Sequence, residues 1–197
     1  EAVLRMGQAC GVINQVLPSF VYKKVDSTLR GHIGAECEKL ITCTDRKLIF
    51  AAIAFPAQNR QVIQGQLLVN GVPVDQTAMR NDPQNPVTKS HIAALFSDYS
   101  TFVTAKIFLD DIEKGEILLA KKIHETISSG NNVLVFDTVS DMHLNTIAKA
   151  ALLFADQAIF VGSAGFANAL SEELLAQNRI IPKAIAKSID QIPHSGM

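Results

Sequence analysis

An excess of charge of either sign is missing from this chain of 197 residues, which has 18 Lys and Arg against 19 Asp and Glu. Without a basic surplus, neither nucleic acid nor an anionic membrane surface is an expected partner. No apolar stretch approaches the roughly 20 residues that a bilayer-spanning helix needs. No basic segment followed by an apolar run opens the chain, so secretion is not indicated. These absences predict a cytoplasmic protein.

Cysteine is scarce, with Cys10, Cys37 and Cys43 as its three occurrences. The number is odd, no C-x-x-C pair is present, and no histidines accompany the cysteines at metal-ligand spacing. We therefore expect free, largely buried thiols and no metal centre.

Two acidic segments could suggest a functional site. Asp110-Asp111 has no third carboxylate at a suitable spacing, so a solvated loop is the better interpretation. Asp137 follows a predicted strand and is expected to face the same side of the sheet as Asp26. Helix capping by Ser140 or Asp141 explains most of that segment without a function.

The hydrophobic pattern predicts an α/β fold. Short apolar runs alternate with segments of helical periodicity, and continuous apolar runs are typical of parallel strands covered on both faces. We therefore expect a three-layer, mostly parallel sheet with helices on both faces. The predicted strands cover residues 20–25, 48–54, 102–107, 133–136 and 158–161. The predicted helices cover residues 1–12, 34–40, 90–95, 115–127, 141–153 and 166–175.

A protruding β-hairpin is predicted over residues 67–74. Its signal is Asn70-Gly71 between apolar residues, since Asn-Gly is the strongest short hairpin signal. The segments 56–66 and 75–88 on either side are polar and contain proline. They are predicted to be long loops that form a functional rim.

The residues with the most chemistry lie on the connection 23–36, between the first of these strands and its helix. In open α/β sheets, ligands bind in the crevice outside the carboxyl ends of the strands. Arg30 can hold a carboxylate or phosphate with two parallel hydrogen bonds, and Lys23 or Lys24 can add a charge. Asp26 can accept the proton of a hydroxyl group. The pattern indicates a site for a small anion that also carries hydroxyls.

Glycines at 31 and 34 on the same connection allow the backbone to turn sharply and approach a ligand closely. The alternative needs no ligand. Asp, Ser and Thr before a helix are common capping residues, and Lys and Arg are ordinarily solvated.

A second candidate is the turn Gly162-Ser163-Ala164-Gly165, which follows the last predicted strand. Its glycines suit a strand-to-helix turn that presents backbone N–H groups to an anion. A tight turn with Ser163 as an ordinary helix cap explains it equally well. A nucleophile elbow is not indicated, because the G-x-S-x-G motif is one residue longer.

Several of these segments together resemble one family. Residues 24–31, K-V-D-S-T-L-R-G, are similar to the K-x-D-S-T-L-R-G signature of the four-carbon acid sugar kinases. Residues 56–60 resemble that family's P-A-x-P-x-x-G-R stretch in a shortened form, and residues 64–69 resemble its Q-G-H-L-F-V run. Residues 79–88 look like its loop before a helix, and residues 162–167 its G-S-A-G-L-A turn. The chain departs from the family at Asn59, where glycine is usual, and at Gln66, which replaces histidine.

The resemblance implies an ATP-dependent kinase that phosphorylates a hydroxyl of a four-carbon sugar acid of the threonate, erythronate or 3-oxo-tetronate type. Arg30, helped by Lys24, would hold the carboxylate of the acid. Asp26, with Ser27 and Thr28, would bind its hydroxyls, and Asp26 and Arg30 are the implied catalytic residues, with Asp26 as base. The further substrate-binding residues implied are Gly31, Asn59, Arg60 and Gly65. The implied anion-binding turn is formed by Gly162, Ser163 and Gly165.

The family's members are about twice as long as this chain and have two domains. We expect residues 1–180 to form the acid-sugar-binding domain without its first strand. Residues 181–197 would be a tail or the start of a linker to a nucleotide-binding domain. ATP and Mg²⁺ would be bound mainly by that domain, and the chain alone would be inactive.

Other organisations and functions stay open. A sheet edge left uncovered by an absent first strand would favour a homo-oligomer. One alternative is a non-catalytic domain that binds small carboxylates or has a regulatory role. A dinucleotide-dependent oxidoreductase is disfavoured, because neither G-x-G-x-x-G nor G-x-x-x-x-G-K-[ST] occurs in the sequence.

Overall fold

A computed structural model of the chain describes residues 2–16, 18–99 and 101–180. The strands are β1 (Val21–Lys24), β2 (Leu48–Ala52), β3 (Arg60–Ile63), β4 (Gln66–Val69), β5 (Val72–Pro73), β6 (Thr104–Ile107), β7 (Val133–Phe136) and β8 (Ala158–Gly162). The α-helices are α1 (Ala2–Val16), α2 (Ile33–Cys43), α3 (Leu109–Ile112), α4 (Glu116–Ser128), α5 (Asp141–Ala151) and α6 (Ala164–Ala176). The predicted helices are confirmed to within a few residues, except that 90–95 forms a short 3₁₀ turn at Ile92–Leu95.

The five predicted strands are confirmed, and they pair in parallel in the order β1-β8-β2-β7-β6. Every residue of β2, β7 and β8 is buried. Their continuous apolar sequences fit this position, because both faces of a central parallel strand are covered. The edge strands β1 and β6 carry the exposed lysines Lys24 and Lys106.

The direction of each crossover decides which face of the sheet a helix covers. From β1 to β2 and from β2 to β6 the chain moves one way across the sheet, and from β6 through β7 to β8 it returns. Right-handed crossovers place connections of opposite direction on opposite faces. Accordingly, α2 packs in one buried cluster and α4, α5 and α6 pack in the other. The predicted three-layer arrangement is confirmed.

The predicted hairpin is confirmed, and a third strand joins it. Asn70 and Gly71 have φ of +51° and +79° between β4 and β5, as a two-residue hairpin turn requires. The predicted loop 56–66 is wrong in its second half, because β3 lies there and pairs with β4. Val62 and Leu67 are fully buried, so this small sheet is part of the core of the domain.

The prediction of three free thiols is wrong for two of them. Cys10 of α1 and Cys43 at the end of α2 form a disulfide, whereas Cys37 is free and buried. The two bonded residues are 33 positions apart in sequence. Their proximity comes from the packing of α1 against α2, which the cysteine spacing does not reveal.

Within the described ranges, no helix is both long and apolar enough to cross a bilayer. The predicted tail or linker at 181–197 lies outside the described residues, and the domain boundary at 180 stays a prediction.

Gly34 at the start of α2 is the position where a larger residue should harm the fold most directly. A Cβ there would lie 2.0 Å from the Leu95 carbonyl oxygen and 2.6 Å from a ring carbon of Tyr99. We expect Gly34→Ala to lower the free energy of unfolding by about 1–3 kcal/mol, the usual cost of overpacking. Urea unfolding monitored by circular dichroism measures the change.

Gly11 of α1 provides the matched control, since a Cβ there meets no atom within 4 Å. Gly11→Ala should raise the free energy of unfolding by about 0.5–1 kcal/mol, because alanine favours the helix. Equal effects of the two substitutions would contradict the close packing at Gly34.

Candidate functional site

The carboxyl edge of the sheet opens where the chain leaves two neighbouring strands toward opposite faces. β1 and β8 are paired side by side, with Lys24 opposite Gly162. The segment after β1 leads to α2 on one face, and the segment after β8 leads to α6 on the other. In an open α/β sheet, such a divergence forms the crevice in which ligands bind. The two turns predicted from the sequence therefore lie at one crevice.

Asp26 and Arg30 form a two-pronged ion pair at this crevice. Arg30 Nε donates to Asp26 Oδ2 and Arg30 Nη2 donates to Asp26 Oδ1, each at 3.0 Å. The Arg30 side chain remains 43% exposed. Its guanidinium carries five N–H donors, and the pair with Asp26 occupies the Nε/Nη2 edge. The Nη1/Nη2 edge lies outside this pair.

The backbone between Asp26 and Gly31 produces this geometry. Leu29 has a φ of +65°, which is uncommon for a bulky residue, and Gly31 has a φ of +101°. The Leu29 side chain is buried in the core, which holds the loop in this conformation. The Thr28 hydroxyl and the Thr28 backbone N–H both donate to Asp26 Oδ2. Thr28 thus holds the Asp26 carboxylate in place, and this carboxylate in turn holds the Arg30 guanidinium.

The pKa of Asp26 reflects these contacts. Burial raises the pKa of Asp26, but the hydrogen bonds from Arg30 and Thr28 and the charge of Arg30 outweigh burial and hold it well below its usual range. A carboxylate with such a low pKa is a weak general base at neutral pH. The hydrogen bonds show that Asp26 positions Arg30, and its role as base stays a prediction.

The two lysines of β1 point to opposite faces, because side chains alternate along a strand. Lys23 forms an ion pair with Glu36 of α2, and the Lys23 side chain is only 8% exposed. Lys24 is exposed, and its Nζ donates to the Val25 carbonyl at 2.7 Å. Ser27 is half-buried next to Asp26. Of the two lysines, Lys24 is therefore the exposed one, and its role beside Arg30 stays a prediction.

Asp82 is a site residue that the sequence analysis did not single out. Arg30 Nη1 donates to Asp82 Oδ2 at 3.4 Å across 52 residues of sequence. Asp82 Oδ1 accepts the backbone N–H groups of Gln84 at 3.0 Å and Asn85 at 2.8 Å. These bonds, with Asn85 first, lower the pKa of Asp82. The Asp82-Pro83 dipeptide indicates a turn at this position, but it does not predict the contact between Asp82 and Arg30.

The second predicted turn contains a helix cap. Ser163 is fully buried, and its hydroxyl donates to the Ala54 carbonyl at 2.7 Å and accepts the Gly165 N–H at 3.2 Å. A Cβ on Gly162 would lie 2.6 Å from the Ala52 carbonyl oxygen, so glycine is needed for close packing. Because the Ser163 hydroxyl already makes two hydrogen bonds, an anion at this turn would have to be bound by backbone N–H groups. That role stays a prediction.

Asn59, Arg60 and Gly65 do not lie together. Asn59 and Arg60 stand at the start of β3, whereas Gly65 lies in the turn beyond its end. Since a strand rises about 3.3 Å per residue, roughly 10 Å or more separates the two groups. Asn59 adopts the left-handed backbone expected of it, with a φ of +55°. Joint contact of these three residues with one ligand stays a prediction.

Asp137 shares the carboxyl edge with Asp26 but belongs to a separate cluster. β2 and β8 stand between β7 and β1, which places the two carboxylates about 14 Å apart across the sheet. Asp137 Oδ2 accepts the Gln64 N–H at 2.8 Å, and Oδ1 accepts the Gly65 N–H at 2.7 Å. Burial raises the pKa of Asp137, although those two hydrogen bonds and the charge of Lys106 oppose it.

Two cavities adjoin these clusters. One of about 700 Å³ is lined by Asp137, Lys106 and Lys114. Another of about 630 Å³ is lined by His32 and by Gln84 and Asn85. The second cavity borders the segments that carry Arg30 and Asp82, although neither of these two side chains lines it.

Comparison with known families gives one match over most of the chain. A family model described as a sugar-binding N-terminal domain matches residues 1–170. A D-threonate kinase of Salmonella typhimurium is 39% identical over 159 residues, which are 81% of this chain and 37% of that protein. A D-erythronate kinase of Heliobacterium modesticaldum is 28% identical over 89% of this chain and 40% of that protein. The chain therefore spans about two fifths of the length of these curated relatives.

Solved structures share the fold. A Haemophilus influenzae protein has a TM-score of 0.79 at 21% identity, over 88% of this chain and 42% of that one. A Bordetella bronchiseptica domain of unknown function has a TM-score of 0.74 at 29% identity, over 86% of this chain and 40% of that one. The latter was solved with bound citrate as a domain-swapped dimer.

Proposed function

Because the chain belongs to the family of sugar-binding N-terminal domains, we propose that it binds a four-carbon sugar acid for phosphorylation by an ATP-dependent kinase. The observation that carries the proposal is the Arg30 guanidinium, which Asp26 fixes through two bonds of 3.0 Å, while the Nη1/Nη2 edge makes only one further and longer bond, from Nη1 to Asp82. A planar guanidinium edge matches a carboxylate with two parallel hydrogen bonds. The relatives named threonate and erythronate kinases support the class of substrate.

The other residues of the crevice take complementary roles in this proposal. Lys24 adds positive charge, and the hydroxyls of the acid contact Ser27 and the Asp26 carboxylate. Thr28 fixes that carboxylate by its own hydrogen bonds. Gly31 allows the backbone its φ of +101° beside the ligand, a conformation that favours glycine.

Three further assignments complete the set. Asn59 and Arg60 contact the ligand from the start of β3. Gly65 instead forms the turn between β3 and β4. Backbone N–H groups of the turn from Gly162 to Gly165, other than the Gly165 N–H that donates to Ser163 Oγ, donate to an anionic group.

ATP and Mg²⁺ belong to the same proposal as requirements of phosphoryl transfer. Within the described residues, no group of three or more His, Cys, Asp or Glu side chains could hold a metal ion. We therefore assign nucleotide and metal binding mainly to the part of the relatives' length that this chain does not span. A cytoplasmic location with access to ATP, and assembly as a homo-oligomer, are parts of the proposal too.

Titration calorimetry with D-threonate and D-erythronate tests the proposal. Both acids should bind the chain, and threitol, which has the same carbon skeleton without the carboxylate, should bind at least tenfold more weakly. Equal binding of acid and polyol, or binding of neither, would overturn the sugar-acid assignment.

Phosphoryl transfer is measured separately on the full-length polypeptide that contains this chain. With ATP, Mg²⁺ and a panel of four-carbon acids, it should form a phosphorylated acid. Acid binding without any transfer would instead indicate a non-catalytic, carboxylate-binding domain.

A further inference from the structure

The donors of Arg30 are divided among two carboxylates before any ligand arrives. Asp26 occupies Nε and Nη2 through two bonds of 3.0 Å. Asp82 occupies Nη1 through one longer bond of 3.4 Å. Nη1 is one of the two nitrogens of the edge that a ligand carboxylate would need. Asp82 therefore stands at the point where the ligand's charge has to bind.

Asp82 does not depend on Arg30 for its position. Its Oδ1 atom accepts the N–H groups of Gln84 and Asn85 within the same turn. Its Oδ2 atom makes the contact with Arg30 Nη1. Arg30, in turn, is held by Asp26 through two shorter bonds. The Asp82 contact is therefore the weaker of the two and can be lost without releasing either residue.

Building on the proposed function, we propose that Asp82 is a specificity-determining residue that competes with the ligand carboxylate for Arg30 Nη1. Asp82 covers part of the carboxylate-binding edge. A sugar acid has to replace that bond and bind beside a fixed negative charge. Asp82 thereby lowers the affinity for carboxylates, while it leaves binding through hydroxyls unaffected.

Asp82→Asn tests this inference with little change of shape. The asparagine Oδ1 can still accept the N–H groups of residues 84 and 85, but the negative charge is gone. We expect the variant to bind D-threonate about two- to fivefold more tightly than the wild type, in line with the energies of exposed ion pairs. Binding of threitol should not change. Titration calorimetry supplies both comparisons.

Asp98→Asn is the matched control. Asp98 forms an exposed ion pair with Lys89 at the same 3.4 Å distance, so the variant removes an equal charge elsewhere. Its affinity for D-threonate should equal that of the wild type. Damage to the loop would loosen binding, so a tighter complex of Asp82→Asn has no merely structural explanation.

The outcomes separate this inference from the proposed function. If the wild type binds threonate but Asp82→Asn binds it equally or more weakly, the competition by Asp82 is wrong and the sugar-acid site stands. If the wild type binds no sugar acid, the proposed function itself fails. Asp82→Ser, which also keeps a capping oxygen without charge, replaces Asp82→Asn should that variant unfold.

Discussion

Arg30→Ala is expected to lower the affinity for D-threonate by about 100-fold, the largest effect on binding in this chain. A bidentate, charge-assisted contact to a carboxylate contributes about 2–3 kcal/mol, and each 1.4 kcal/mol corresponds to a factor of ten. Arg30→Lys should keep the charge but lose the planar edge, so its affinity should fall between those of Arg30→Ala and the wild type. Titration calorimetry on the three proteins measures the series.

Arg80→Ala is the matched control for this series. Arg80 belongs to the same loop region as Asp82 and donates one long bond of 3.4 Å to the Asp75 carbonyl. Its removal deletes an equal charge and should leave threonate affinity within twofold of the wild type. Equal losses in Arg30→Ala and Arg80→Ala would mean that general charge, not the fixed guanidinium, attracts the acid.

Arg30→Ala should also change how the free energy of unfolding depends on pH, and this effect can be measured without a ligand. Because the pKa of Asp26 in the fold lies below its ordinary value of 3.8, the ion pair contributes stability above that value. This contribution is lost as the pH falls through the lowered pKa. Between about pH 5 and about pH 2, the wild type should therefore lose more free energy of unfolding than Arg30→Ala, as measured by urea titration.

The strands of the main sheet could be predicted because the apolar pattern of each strand lies within a few consecutive residues. Buried parallel strands are continuous apolar runs, and β2, β7 and β8 are such runs without an exposed residue. Asn70-Gly71 likewise predicts a hairpin from two adjacent residues, because those residues tolerate positive φ. The strand β3 was missed since Gln64-Gly65, although it makes a similar turn at +53° and +75°, lacks the usual Asn or Asp.

Partners of charged residues could not be predicted, because they are set by packing between distant segments. The sequence placed Arg30 and Asp26 on one loop, but it could not show that Arg30 would be paired already. It offered Lys23 and Lys24 as equals, and only the burial of Lys23 against Glu36 separates them. Asp82 reaches Arg30 through the fold of a loop 52 residues away.

The separation of Asp137 from the Arg30 cluster points to a structural role for this aspartate, and a large effect on stability should follow from its removal. Its carboxylate accepts two backbone N–H groups of the turn between β3 and β4, those of Gln64 and Gly65. Next to it, Val62 and Thr138 exchange two backbone hydrogen bonds of 2.8 Å. Asp137 thus connects the small sheet to the large one, and its side chain is buried.

Asp137→Ala should lower the free energy of unfolding by about 1–3 kcal/mol, because that is the cost of leaving a buried N–H, here that of Gly65, without an acceptor. Asp137→Asn retains one acceptor oxygen and should lose less. Asp110→Ala is the control, since Asp110 lines the same cavity but is exposed, and its effect should stay within about 0.5 kcal/mol. Urea unfolding measures stability, and faster hydrogen exchange at the amides of residues 64 and 65 should accompany the loss. Unchanged exchange at these two amides in Asp137→Ala would mean that the turn is held by its other neighbours, and that the carboxylate does not fasten the two sheets.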